Sequence, residues 1–174
     1  RVAIEKNIEA FLKLDLPGTR MVVGGGPDLE MLKKKYPQAV FTGFKENGEL
    51  AQHVAAADVF VFPSRTDTFG LVLIEALASG VPVAAFPVQG PIDIIENGVT
   101  GFLDEDLQKA AMAALALKPE ACRTAALAYT WEACTKQFLS QLQAARGRAG
   151  ALEHSDTVAQ QPAKTRRARA TPAE

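Results

Sequence analysis

The sequence is poor in the residues that most metal and nucleophilic chemistry needs. It carries two cysteines and two histidines in 174 residues. Cys122 and Cys134 show no metal-ligand spacing, and both fall in expected helices near the end, which points to a reduced, cytosolic protein. His53 lies beside Val54 in an expected helix, and His154 lies in the C-terminal tail. No acid cluster surrounds either, so a Ser–His–Asp or zinc site has no support. No apolar run is long enough to span a bilayer, and no signal-peptide pattern opens the chain. The formal net charge is -1, which gives no whole-chain case for nucleic acid or membrane affinity. Nor is there a G-x-x-x-x-G-K-[ST] loop; the one glycine cluster, Gly24–Gly25–Gly26, is not G-x-G-x-x-G because Leu29 fills the sixth position. Arg1 stands where an initiator Met would, so the chain is expected to be part of something longer.

What the sequence does have is apolar content. At 48% hydrophobic it can bury a sizeable core, and its length suits one domain. Helical spacing covers Glu5–Leu14, with Ile8, Phe11, Leu12 and Leu14 on one side. A turn at Pro17–Gly18 leads to a strand over Arg20–Val23, and Pro27 suits the first turn of a helix through Tyr36. Further strands are expected at Ala39–Thr42, Asp58–Phe62, Val81–Phe86 and within Gly98–Leu103. Helices are expected from Asn47 or Gly48 to Ala57, and over Phe69–Ser79, Gly90–Glu96, Asp106–Leu117, Glu120–Ala128 and Trp131–Arg146. Thr130 is a suitable N-cap for the last of these, and Trp131 is expected to pack it down. Strands and helices therefore alternate to about Leu117. That is the signature of βαβ units, and of a Rossmann-like, doubly wound parallel α/β sheet with helices on both faces. From Gly147 large apolar residues nearly vanish, so 147–174 reads as a disordered, solvated tail. Its Lys164, Arg166, Arg167 and Arg169 could alternatively touch an anionic membrane or nucleic acid.

In such a sheet, ligands bind in the loops that follow the strands. The stretch Pro63–Gly80 holds the most informative of these loops. With a helix start near Phe69, the N–H groups of Phe69, Gly70, Leu71 and Val72 are free, which suits a phosphate. Asp67 sits in the mouth of the loop. Glu75 is the one charge among the apolar residues of Leu71–Ala78, and a carboxylate surrounded by apolar neighbours is costly without partners. Each acid could hold a pair of sugar hydroxyls. The plainer reading is an acid that favours the helix N-terminus together with a solvated Glu75; the pair with a glycine between them outweighs it. Gly24–Pro27 either admits a ligand closely or is a flexible turn. Arg1 and Lys6 either clamp a diphosphate or are surface charges.

Taken together, these residues resemble the C-terminal, donor-binding domain of retaining glycosyltransferases of the GT-B fold, in the large family 4. The family's P-S-x-x-E-x-F-G-L-V-x-x-E-A-x-A-x-G pattern stands here as Pro63, Ser64, Asp67, Phe69, Gly70, Leu71, Val72, Glu75, Ala76, Ala78 and Gly80. Val22–Pro27 resembles its V-G-x-G-P loop, and Val40–Gly43 the strand and turn beside the nucleotide base. Pro82–Val83, Gly98–Leu103 and Thr130–Glu132 resemble later segments, in order, to about Gln143.

The resemblance implies one half of a GT-B enzyme over residues 1–146, with the first strand of this domain and the whole N-terminal domain missing from the chain. That strand is central in the order 3-2-1-4-5-6, so the isolated chain is expected to be poorly stable and inactive. The implied activity is transfer of a sugar from a UDP- or GDP-linked donor to a lipid or glycan acceptor. Arg1 and Lys6 would stabilise the departing diphosphate, with no metal and no cofactor. Asp67 would face the sugar, and the backbone at Phe69, Gly70, Leu71 and Val72 the sugar and phosphates. Glu75 would hold the ribose, while Gly25 and Gly43 would line the donor site. Asp67 departs from the family's usual Glu by one methylene, which bears on the sugar contact. The implied location is the cytoplasm, at the inner membrane face if the acceptor is a lipid. Two other readings remain: a sugar-nucleotide epimerase of the same fold, and a non-catalytic nucleotide-sugar-binding module.

Overall fold

The computed structural model describes residues 1–153, with side chains through residue 142. The chain divides into two compact units, one over Arg1–Thr130 and a second that starts at Trp131.

The first unit is built on five short parallel strands. β1 (Met21–Val23) pairs with β2 (Val40–Gly43). β3 (Phe60–Phe62) pairs with β4 (Val83–Ala85), and β4 with β5 (Gly101–Leu103). No ladder joins β1 to β3 among the described residues, so the sheet is a pair and a triplet. The strand order 3-2-1-4-5-6 with its first strand removed divides in that way.

The helices are α1 (Ile8–Leu12), α2 (Leu29–Lys35), α3 (Asn47–Ala55), α4 (Leu71–Ala78), α5 (Pro91–Ile94), α6 (Leu107–Ala114) and α7 (Pro119–Ala126). Side chains alternate across β4 because a strand turns successive residues to opposite faces. Val83 and Ala85 join Leu73 and Leu77 of α4 and Cys122 and Ala126 of α7 in one core cluster. Ala84 faces the other way, onto Ala110, Ala111 and Ala114 of α6. Both faces of the triplet are thus covered, which explains strands that read as continuous apolar runs. A separate cluster of Val2, Leu12, Val22, Leu32 and Tyr36 packs the pair β1–β2. Asp106 caps α6, its carboxylate accepting from the N–H groups of Gln108 and Lys109.

Four expectations change. The helix expected over Glu5–Leu14 is broken into a single 3-10 turn, Ile4–Lys6, and α1. Asn7 breaks it, with φ at 51°. Asn tolerates this left-handed conformation, and its Nδ2 donates to the Pro63 carbonyl at 3.0 Å. The helix expected from Phe69 starts at Leu71, because Gly70 takes φ 79° at the N-cap. In the second unit, the helix α8 runs Trp131–Glu153, past its expected end at Arg146. Trp131, expected to pack that helix down, is 86% exposed. The tail residues His154, Lys164, Arg166, Arg167 and Arg169 lie outside the described residues.

Candidate functional site

The site is assembled where β1 and β3 end. After β1 comes Gly24–Gly26, and after β3 comes the loop 63–70. Residues Arg1–Asn7 run across both. On one side, the Val2 N–H donates to the Gly25 carbonyl at 2.9 Å, and the Asp28 N–H donates to the Val2 carbonyl at 3.3 Å. On the other, Ser64 and Thr66 hydroxyls donate to the Glu5 carbonyl, each at 3.4 Å, and Asn7 holds Pro63. Lys6 Nζ forms an ion pair with the Asp67 carboxylate, 61 residues away in sequence. Two residues assigned separately, one to a diphosphate and one to a sugar, are therefore in contact. Arg1 is more exposed and pairs with Glu5 at 3.6 Å.

Gly70 needs its lack of a side chain. A Cβ there would come within 2.9 Å of Leu73 Cδ1, at a φ that L-residues rarely adopt. The consequence is an open helix start. Among the described residues, the N–H groups of Phe69, Gly70, Leu71 and Val72 have no recorded acceptor. The side chains of Phe69, Leu71 and Val72 are exposed beside them. Aligned free N–H groups and the helix dipole favour an anion there.

Glu75 is not surrounded by apolar side chains. It stands on the exposed face of α4, which also presents Leu71, Val72 and Ala78 to the surface. Its carboxylate has no recorded partner among the described residues. It lines a cleft of about 650 Å³ between α3 and α4, together with Phe44, Lys45, Glu46, Asn47, Leu50, Ala51, Val54, Ala78 and Ser79. Gly25 and Gly43 border this region. The Gly25 Cα faces Phe44, since a Cβ there would lie 3.7 Å from the Phe44 Cβ. The Gly43 carbonyl accepts from the Gly24 N–H at 2.9 Å.

The sequence reading missed four residues that shape this region. Asn7 and Arg65 position the loop 63–70. The Arg65 guanidinium stacks on the Phe86 ring at 3.6 Å and pairs with Glu105 at 3.0 Å, which ties the loop to the ends of β4 and β5. Phe44 and Glu46 line the cleft. Local spacing gave no signal for any of the four: Asn7 and Arg65 act on partners far along the chain, and Phe44 and Glu46 matter only through the cleft they line. Among the described residues no group of three or more His, Cys, Asp or Glu could hold a metal ion, and no helix is long and apolar enough to cross a membrane.

A split parallel sheet, helices on both faces and a site at the strand ends define one half of a GT-B fold. Residues 3–118 match the family described as Glycosyl transferases group 1, and the chain belongs to that family. It is 36% identical over 159 residues to a GDP-mannose-dependent alpha-mannosyltransferase of Mycobacterium tuberculosis, covering 85% of this chain and 42% of that protein. It is 43% identical over 111 residues to the sulfoquinovosyl transferase SQD2 of Arabidopsis thaliana, covering 59% of this chain and 22% of that one. Among solved structures it superposes on HepE of Anabaena in complex with UDP with a TM-score of 0.64, at 22% identity, over 83% of this chain and 47% of that one. The chain thus spans less than half the length of these relatives.

Proposed function

We propose that this chain is the donor-binding half of a retaining glycosyltransferase that uses a nucleotide diphosphate sugar. The observation that carries the reading is the start of α4. Among the described residues, one helix start presents four N–H groups with no recorded acceptor and, one turn further on, a Glu75 with no recorded partner in a cleft. Phosphate suits the first and a ribose diol the second, because a carboxylate accepts two hydroxyl hydrogen bonds at once. The membership of a glycosyltransferase family, and relatives named for GDP-mannose or bound to UDP, support a UDP- or GDP-linked donor.

In the reaction, the bond from the anomeric carbon to the diphosphate oxygen breaks. A bond from the acceptor hydroxyl oxygen forms on the same face, and the hydroxyl proton passes to the departing diphosphate. Arg1 and Lys6 stabilise the negative charge that develops on that group. Lys6 must first exchange Asp67 for phosphate, which frees the Asp67 carboxylate to face the sugar hydroxyls. The backbone at Phe69–Val72 holds the phosphates, and Gly25 and Gly43 leave room for the nucleoside. The donor domain spans residues 1–146, with α8 running on past that boundary to Glu153. An N-terminal domain of the same enzyme supplies the acceptor side of the cleft. The acceptor is a lipid or glycan, and the enzyme works in the cytoplasm, against the inner membrane face where the acceptor is a lipid.

The test uses the full-length protein with UDP- and GDP-sugars and varied acceptors, and measures released nucleotide and product configuration. Release with the donor's anomeric configuration kept in the product, together with weaker donor binding in Glu75→Ala, is expected. Sugar isomerisation without transfer would support an epimerase instead. Donor affinity unchanged in Glu75→Ala would remove the ribose assignment.

A further inference from the structure

The cleft that holds Glu75 has a second carboxylate in its wall. Glu46 precedes the first residue of α3, and its side chain makes no cap hydrogen bond. Among the described residues it has no recorded ion pair either. The one cation lining the cleft among them, Lys45, is held by Glu49 at 3.3 Å. The rest of the wall holds Phe44, a residue 71% exposed, the aliphatic Leu50, Ala51, Val54 and Ala78, and the polar Asn47 and Ser79. A cleft with apolar residues in its wall and two unpartnered carboxylates suits a flat ligand with hydrogen-bond donors at two places.

On the reading that Glu75 takes the ribose diol, the base on the neighbouring C1′ carbon extends along the same cleft. We propose that Glu46 selects that base, and that the base is guanine. Guanine alone among the common bases carries two adjacent donors on its outer edge, N1–H and the N2 amino group. They match the two oxygens of one carboxylate in a bidentate pair. Uracil offers a single N3–H between two carbonyl oxygens, and both oxygens would face the Glu46 charge. Adenine and cytosine each set one donor beside a ring-nitrogen lone pair, which a carboxylate also disfavours. The guanine O6, next to N1–H, is an acceptor, and Lys45 has donors beyond the one turned to Glu49. The Phe44 ring offers a face for the purine to stack on. Selection works in both directions: the correct base satisfies the carboxylate, and a wrong base leaves it desolvated and unpaired.

The test is calorimetric titration of GDP, UDP, ADP and inosine diphosphate into the full-length protein and its Glu46→Gln and Glu46→Ala variants. Inosine lacks the N2 amino group and otherwise keeps the edge of guanine. The wild type is expected to bind GDP at least about tenfold tighter than UDP or ADP, with inosine diphosphate between them, as a charge-assisted hydrogen bond predicts. Glu46→Gln should weaken GDP by roughly 10- to 100-fold and UDP far less. In Glu46→Ala, GDP and inosine diphosphate should bind alike. Melting temperatures should not change, because Glu46 is exposed and makes no contact that folding needs. Wild-type binding of UDP as tight as GDP, or a GDP preference that survives both substitutions, overturns the assignment to Glu46 while leaving the donor reading intact. Binding of no nucleoside diphosphate at all overturns both.

Discussion

Gly26→Ala is the sharpest test of how the site is held together. A Cβ built on Gly26 would overlap the Val2 carbonyl oxygen and lie 2.8 Å from both the carbonyl carbon and the nitrogen of Val2. These are backbone atoms and cannot rotate away. The segment Arg1–Asn7 would have to lift, breaking the hydrogen bonds that Val2 makes with Gly25 and Asp28. An overpacked contact costs about 1–3 kcal/mol, and each hydrogen bond contributes about 1 kcal/mol. With both bonds lost, the total is about 4 kcal/mol, a fall of roughly 15 °C in Tm for a unit of this size. Gly25→Ala is the matched control. Its new Cβ would meet only Phe44 at 3.7 Å, an ordinary contact, and should shift stability by less than about 1 kcal/mol. Thermal denaturation followed by circular dichroism gives the first readout, and nucleotide titration the second, since Lys6 moves with the lifted segment. A Gly26→Ala protein that melts within a few degrees of wild type and binds nucleotide equally would refute the reasoning. It would show that the glycines are only a flexible turn.

Three further outcomes follow from the described contacts. Lys35, Tyr36 and Lys13 surround Glu9 and lower its pKa from 4.5 to about 2. A carboxylate depressed on folding stabilises above its unfolded pKa, and the benefit fades as pH falls from about 4.5 through 2. Glu9→Gln should therefore lower Tm at neutral pH and flatten its acid limb in that window, measured by melts across pH. Leu77→Ala removes a fully buried side chain between α4, β4 and α7, and should cost about 2–5 kcal/mol in denaturant titration without changing the m-value. Burial pushes the Cys122 thiol up in pKa, whereas Cys134 is exposed. A thiol reagent should label Cys134 promptly and Cys122 only on unfolding, as read by peptide mass spectrometry.

The alternation of elements was legible because parallel strands buried on both faces read as apolar runs, and Pro27, Pro37 and Gly80 punctuate them. The interrupted sheet was legible through the family's strand order. The spacing of Asp67 and Glu75 marked the candidate site, but its arrangement was hidden. In Leu71–Ala78 nearly every residue is apolar, so no periodicity shows which face is outward, and Glu75 looked buried when it is exposed. Asn7 is an ordinary residue in a helical pattern until Pro63 draws its side chain away. The Lys6–Asp67 pair and the stacking of Arg65 on Phe86 depend on packing between distant segments. Glu46 resembles any acid near a helix start, and only the cleft wall distinguishes it.

The strap Arg1–Asn7 has a mechanical consequence of its own. It touches the glycine loop through backbone hydrogen bonds of Val2, and the loop 63–70 mostly through side-chain hydrogen bonds and one ion pair. The second set of links is the softer one, and one of them, Lys6 to Asp67, is the contact a phosphate would displace. The hold of the strap on the loop 63–70 is therefore tied to the charge of whatever occupies the site.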